Sequence, residues 1–443
     1  MEEVKKIEQT EEKEVSESAL KKFFSIKISG VGMPFYIVML VILAATIFLH
    51  RLPNTILGAI VLLVVLGHVL YFIGEKIPVF NSYLGGGSVF CIFASAAMAT
   101  FGIIPADAVK VASNFVSNEG FLDFYIAALI SGSILGMNRN LLIKASVRFI
   151  PVAFLSMIIT FFAVGLMGML IGNGFGHSVM FVSLPIMAGG IGAGVVPLSN
   201  IYGHVLGQPA ANMISQLIPA SAAGNVLAII AAALVAKLGE SFPKYNGQGV
   251  LMEIDPEFTK PRKVKLDIMQ FGVGMMMALS FFMLATIFNS FIPKVHTYAF
   301  IIIIVFICKA TNILPKYYED AAIMFNQLIV KNLTHAVLAG IGIALLNLTL
   351  LAHALTWQFV VLVVTSILTI SIASALIGKL FGLYEVESII TAGLCNNSMG
   401  GTGNVAVLSA SNRMELIAFA QMGNRLGGAI ILVVAGILIQ FLH

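Results

Sequence analysis

The feature that most constrains this chain is a succession of apolar runs, each about as long as a helix that crosses roughly 30 Å of hydrocarbon. They fall near 36–50, 55–74, 84–104, 121–137, 149–172, 210–236, 268–292, 297–314, 322–350, 356–380 and 415–440. A water-soluble fold cannot bury so many, because too little polar surface remains to cover them. Of 443 residues, 59% are hydrophobic and only 10% charged, where a soluble domain carries about a quarter charged. The reading is an all-α polytopic membrane protein with eleven transmembrane helices. The same numbers exclude a soluble enzyme. The basic residues are scattered over flanks and loops, which excludes a nucleic-acid binder. Cys91, Cys308 and Cys395 form no CxxC and no disulfide framework.

The scarce charge sets the orientation. Residues 1–33 hold Lys5, Lys6, Lys21, Lys22 and Lys27 among many glutamates and read as a solvated cytoplasmic tail. The first apolar run begins too late for a secretory signal. With the N-terminus inside, Lys76, Arg139, Lys144, Arg148, Lys237, the basic residues of the 237–267 loop, Lys316 and Lys379 all fall on the cytoplasmic side. Arg51, Lys110 and Lys294 fall outside. An odd number of spans then places the C-terminus outside.

Two segments, 176–206 and 384–413, are apolar but dense in Gly, Asn and Ser. If each crossed the membrane once, the basic loops downstream would change sides, so each is expected to be a re-entrant hairpin. Non-helical backbone at membrane depth is tolerated only where protein buries it or water reaches it. The hairpins share Gly-Gly-x-Gly followed by small and apolar residues and then Leu-Ser, and Gly189 and Gly400 stand 211 residues apart. The expected organisation is an extra first span (34–54), a five-helix repeat with its hairpin (55–236), a cytoplasmic loop (237–267) and a second repeat (268–443). Five being odd, the second copy inserts upside down, an architecture of secondary transporters with binding sites near mid-membrane.

The hairpins carry the candidate chemistry. Gly-Gly-x-Gly leaves backbone amides and carbonyls uncovered, and helix N-termini beginning there favour an anion. Backbone carbonyls with Asn396, Asn397 and Ser398 offer oxygens to a small hard cation such as sodium. Arg425 lies about ten residues into the last run, where an arginine is costly and normally meets an anion; its fork suits a carboxylate. Arg413, beside Glu415, reads as a structural arginine at the hairpin base. Of 21 acidic residues, seven lie in the tail and the others in loops or near span ends, with Asp123 the deepest. The buried charge is thus expected to narrow to one arginine, which points to an anionic cargo. Neither a nucleophile–base set nor a metal-ligand cluster marks an enzyme.

At these residues the chain resembles the 2-hydroxycarboxylate transporter family, the bacterial citrate, malate and lactate carriers. The resemblance runs from about Ile28 to the C-terminus. It rests on Gly-Ala-Gly-Val-Val-Pro-Leu-Ser (192–199), Gly-Gly-Thr-Gly (400–403), Val-Leu-Ser-Ala-Ser-Asn-Arg-Met (407–414) and Asn-Arg-Leu-Gly-Gly (424–428). It implies a homodimer in the bacterial cytoplasmic membrane, eleven spans with two re-entrant hairpins, and elevator-type movement of a transport domain. It also implies substrate binding by Arg425, Thr402, Gly401, Gly403 and Ser398, with Gly190, Ile191 and Gly192 at the first tip. A sodium ion, if used for coupling, would lie near Cys395, Asn396, Ser398, Asn424 and Gly192; no other cofactor is expected.

Two positions depart from the family's sodium–citrate symporters. Met399 stands where they carry a second arginine, and Ile191 where they carry an asparagine. Losing a guanidinium and an amide removes partners for an extra carboxylate. Malate, with citrate and lactate as further substrates, is therefore the expected cargo, carried by sodium or proton symport. Electrogenic exchange against lactate is the alternative. Beyond these stand a sodium-pumping decarboxylase membrane subunit, which needs a buried ionisable residue, and an anion channel.

Overall fold

A computed structural model describes residues 24–83, 86–136, 139–190, 194–208, 210–252, 267–292, 297–346 and 348–442. The first 23 residues of the tail, and residues 253–266 of the 237–267 loop, lie outside the described set. Apart from a two-residue antiparallel pairing of Lys27–Ile28 with Val31–Gly32, the architecture is helical.

Every apolar run coincides with a helix. The principal helices, in chain order, are α1 (Met33–Phe48), α2 (Ile56–Lys76), α3 (Gly86–Thr100), α4 (Ala106–Ser117), α5 (Phe121–Gly136), α6 (Arg139–Leu170), α7 (Val196–Leu206), α8 (Ala210–Ser241), α9 (Ile268–Phe291), α10 (Thr297–Thr311), α11 (Lys316–Leu345), α12 (Trp357–Leu380), α13 (Gly400–Ala410) and α14 (Ile417–Leu442); α4, α7 and α13 lie outside the apolar runs. Among the described residues, eight helices are long and apolar enough to cross a bilayer. The stretches Met33–Phe48, Gly87–Thr100, Phe175–Met187 and Phe300–Thr311 are apolar but shorter. Many side chains of α1, α6, α9 and α12 are large, apolar and exposed, among them Val41, Phe162, Met283 and Leu376, as expected of helices facing hydrocarbon.

Helix α4 falls in a stretch that sequence hydropathy leaves as a connection. It buries Ala108, Val111, Ala112, Phe115 and Val116, a spacing that lines one helical face. Its other face is polar, which lowers the mean hydropathy and hides it from a search for spans. Helix α6 begins ten residues before the apolar run it contains, because Arg139, Lys144 and Arg148 belong to its first turns.

The helices sort into two groups. Helices α2, α3, α5, α9, α10 and α11 pack mainly on one another, with α11 at the centre; α6, α8, α12 and α14 pack around the two broken segments. Helices α2, α3, α5 and α9 approach α11 so closely that a Cβ at Gly67, Gly342, Gly132 or Gly274 would collide with its neighbour, the small-residue packing used between membrane helices.

The broken segments are built alike. The first descends through Phe175–Ser178, a π-helical turn at Val179–Ser183 and Leu184–Met187, reaches a tip and continues as α7. The second descends through Glu385–Ser388, a π-helical turn at Ile389–Gly393 and a tight turn at Leu394–Asn397, then continues as α13. The two π turns begin 210 residues apart, within one residue of the offset between the tip glycines, although their sequences differ. Side chains serve carbonyls in both arms: the Tyr202 hydroxyl donates to the Met180 carbonyl at 3.1 Å, and the Thr391 hydroxyl to the Glu387 carbonyl.

Candidate functional site

The two tips touch. Gly189 (φ +89°), Gly190 (φ +99°) and Gly400 (φ +73°) adopt backbone conformations that L side chains rarely enter. A Cβ on Gly190 would lie 2.5 Å from the Met399 carbonyl oxygen, and one on Gly400 would collide with the Gly189 carbonyl. Glycine is required here for space as well as for φ, because two backbones occupy the volume a side chain would need.

Arg425 reaches this junction from α14. It is 8% exposed. Its Nη1 donates to the Gly189 carbonyl at 3.3 Å, and its guanidinium lies 4.8 Å from the centre of the Tyr298 ring. Its Nε is buried with no hydrogen-bond partner. Gly401 flanks it so closely that a Cβ there would sit 2.8 Å from Nη2. The Tyr298 hydroxyl in turn donates to the Asp123 carboxylate. Arg425 thus sits at the seam between the two helix groups, with α10 and α5 behind the ring. A cavity of about 180 Å³, with Ser146, Ile302, Phe306 and Met422 in its walls, runs along this seam to Arg425.

Buried amides surround the second tip. Asn424 Nδ2 donates to the Cys395 carbonyl at 2.7 Å, and the Ser398 hydroxyl donates to the same carbonyl at 2.7 Å while lying 2.9 Å from Asn404 Oδ1. Asn225 Oδ1, from α8, accepts the Met399 amide at 3.0 Å. Gln421 Nε2 donates to the Gly401 carbonyl at 2.9 Å. The remaining carbonyl oxygens of Asn396, Asn397, Gln421 and Asn424 are buried without a donor. Leaving such groups unpaired costs about 1–3 kcal/mol each, so each is an oxygen with capacity to meet a ligand. Among the described residues no group of three His, Cys, Asp or Glu could hold a metal ion. A cation here would draw on amide, hydroxyl and backbone oxygens, a donor set that suits a hard ion.

The sequence-derived residues therefore converge. Gly190, Ser398, Gly401, Gly403, Arg425, Cys395, Asn396 and Asn424 all line or support the junction of the tips. Ile191 and Gly192 lie outside the described residues, as does the side chain of Thr402. Four participants escaped the sequence reading as site residues: Asn225, Asn404, Gln421 and Tyr298. Asn225 and Gln421 carried a signal, each being an amide well inside an apolar run; Tyr298 carried none.

The expectation that buried charge narrows to Arg425 needs correction. Glu387 is fully buried, and it accepts hydrogen bonds from the amides of Gly247 (2.6 Å) and Gly249 (3.1 Å) and from Arg413 Nε (3.1 Å). Lys309 and Glu319 form a second buried pair at 2.8 Å. These acids lie near helix ends in sequence, but the 246–249 connection folds over Glu387 and Lys309 of the neighbouring helix meets Glu319. Both are paired, which distinguishes them from Arg425. Arg413 is structural, as expected, though its partner is Glu387.

A multi-pass helical membrane protein whose two broken segments meet at a buried arginine has the form of a transporter rather than an enzyme. Residues 28–437 match the 2-hydroxycarboxylate transporter family, and the chain belongs to that family. It is 56% identical to the malate transporter MleP of Lactococcus lactis over 96% of this chain and 100% of that protein. It is 52% identical to the citrate transporter CitP of Lactococcus lactis, over 95% of each chain. It is also 35% identical to the Na(+)-malate symporter of Bacillus subtilis over 97% of each.

Proposed function

We propose that this protein is a secondary active transporter of small 2-hydroxycarboxylates, with malate as its principal substrate and citrate and lactate as further ones. The observation that carries the reading is Arg425, a buried cation with an unpartnered N–H at the meeting point of two broken helical segments. One carboxylate of the substrate accepts from this guanidinium. Thr402, Ser398 and the backbone of Gly190, Ile191, Gly192, Gly401 and Gly403 take the remaining oxygens. The names of relatives, malate transporter, citrate transporter and sodium symporter, agree with this cargo class.

The chain spans the bacterial cytoplasmic membrane eleven times, its N-terminus cytoplasmic and its C-terminus outside, and the broken segments enter as re-entrant hairpins. The shared π turns and matched offset support an inverted pair of repeats. The group holding the hairpins moves as a body against the other group, elevator fashion, within a homodimer. The unpartnered amide oxygens of Asn396 and Asn424, together with Cys395, Ser398 and Gly192, form the candidate sodium site. Ion and substrate then stabilise the same mobile state reciprocally.

In proteoliposomes, Arg425→Ala should lower malate uptake at least about 100-fold, since two charge-assisted hydrogen bonds of roughly 1.5–3 kcal/mol each are lost. Near-normal uptake would sink the assignment. Radiolabelled malate, citrate and lactate uptake, with sodium and proton gradients imposed separately, identifies the coupling ion. Uptake driven only by internal lactate would instead establish exchange.

A further inference from the structure

We infer that Asp123 sets the charge of the acid this site accepts. It disfavours each further negative charge on the ligand and so ranks mono- and dicarboxylates above tricarboxylates. The inference rests on Arg425 being the anion-binding group, as proposed above.

Asp123 lies in the first turn of α5, in the helix group opposite to α14. It meets the site through one side chain. Tyr298, 5% exposed, stacks its ring against the Arg425 guanidinium at 4.8 Å and donates its hydroxyl to the Asp123 carboxylate. The acid thereby takes part of the electrostatic environment of a buried guanidinium without occupying its N–H groups. Arg425 Nε stays unpartnered, so a ligand carboxylate can bind while Asp123 remains in place.

A single anionic charge placed on Arg425 is well compensated. A second or third charge on the same ligand finds no further cation at the second tip, where Met399 and neutral amides line the wall, and Asp123 repels it from behind Tyr298. At an effective dielectric of about 20, with the partial exposure of Asp123 screening it further, each extra charge is disfavoured about tenfold. Asparagine at 123 removes the charge and keeps an oxygen that accepts from Tyr298. Glu119 supplies the control: it is exposed, lies four residues away and pairs with Asn114 at 2.6 Å, so it shares the neighbourhood but not the link to Arg425.

The test compares wild type, Asp123→Asn and Glu119→Gln in proteoliposomes, with KM measured separately for lactate, malate and citrate. Asp123→Asn should lower the citrate KM relative to malate about tenfold, and malate relative to lactate in the same direction, while Glu119→Gln leaves both ratios as in wild type. Ratios within twofold of wild type in Asp123→Asn would overturn the inference, as would an equal shift in Glu119→Gln. Should Asp123→Asn not transport, the same ratios are read in detergent from the concentration of each acid that raises Tm; there an unchanged citrate-to-malate ratio is likewise refuting. If wild-type protein neither transports any of the three acids nor gains Tm from them, the transport reading itself falls and this inference with it.

Discussion

Gly400→Ala tests the junction of the tips most directly, because the structure supplies its own control. Gly400 (φ +73°) and Gly172 (φ +78°) share nearly the same backbone conformation, but their surroundings differ. A Cβ on Gly172 meets nothing within 4 Å, whereas one on Gly400 collides with the Gly189 carbonyl and stands 3.5 Å from Arg425 Nη1. Each alanine carries the same left-handed cost of about 1–2 kcal/mol. Only Gly400→Ala also forces the tips apart, and backbone on both sides leaves no flexible side chain to yield. A displacement of about 1 Å at a binding arginine can cost about 100-fold in turnover. Malate counterflow in proteoliposomes should therefore fall about 100-fold for Gly400→Ala and less than about threefold for Gly172→Ala. Thermal stability in detergent should fall comparably in Gly172→Ala and at least as much in Gly400→Ala. Equal transport in the two variants would refute the claim that tip contact organises the site.

Two further outcomes follow from the same geometry. Arg413→Ala leaves the fully buried Glu387 with only two backbone amides, a loss of about 3–5 kcal/mol; in the double variant with Glu387→Gln the cost should be well below the sum of the singles, read by denaturation in detergent, and strict additivity would show the pair to be uncoupled. Met399→Arg places a second guanidinium beside the second tip and should favour citrate over malate by about tenfold, since one charge-assisted hydrogen bond is worth roughly 1.5–3 kcal/mol; an unchanged ratio in competition uptake contradicts this.

Much of the fold was legible because membrane helices advertise themselves by length and hydropathy, and each of the apolar runs holds a helix. Helix α4 was not, because its buried apolar residues gather on one face and charged and polar ones interrupt them in sequence. Arg425 stood out because a charge deep in an apolar run is rare enough to demand a reason. Gly-Gly-x-Gly announced a turn, and the repeat announced two such turns, but their mutual contact arises only in the packed fold. The link from Tyr298 to Asp123 joins residues 175 positions apart, and nothing local to either marks the other. Glu387 misled for a related reason: its position in sequence is near a helix end, yet residues 246–249 fold over it and turn a surface position into an interior one.

The paired π turns have a geometric consequence for the sites they precede. A helix rotates about 100° per residue, so one additional residue in a turn rephases everything beyond it relative to everything before. In each arm the stretch near the base and the stretch near the tip therefore present different faces of what would otherwise be one helix. The arm from Glu385 can set Glu387 towards Arg413 and the 246–249 connection, while Asn396 and Asn397 address α14 and α12. Two jobs that a regular helix would force onto a single stripe are given separate bearings. Both tips reach their common meeting point with the same angular correction already made.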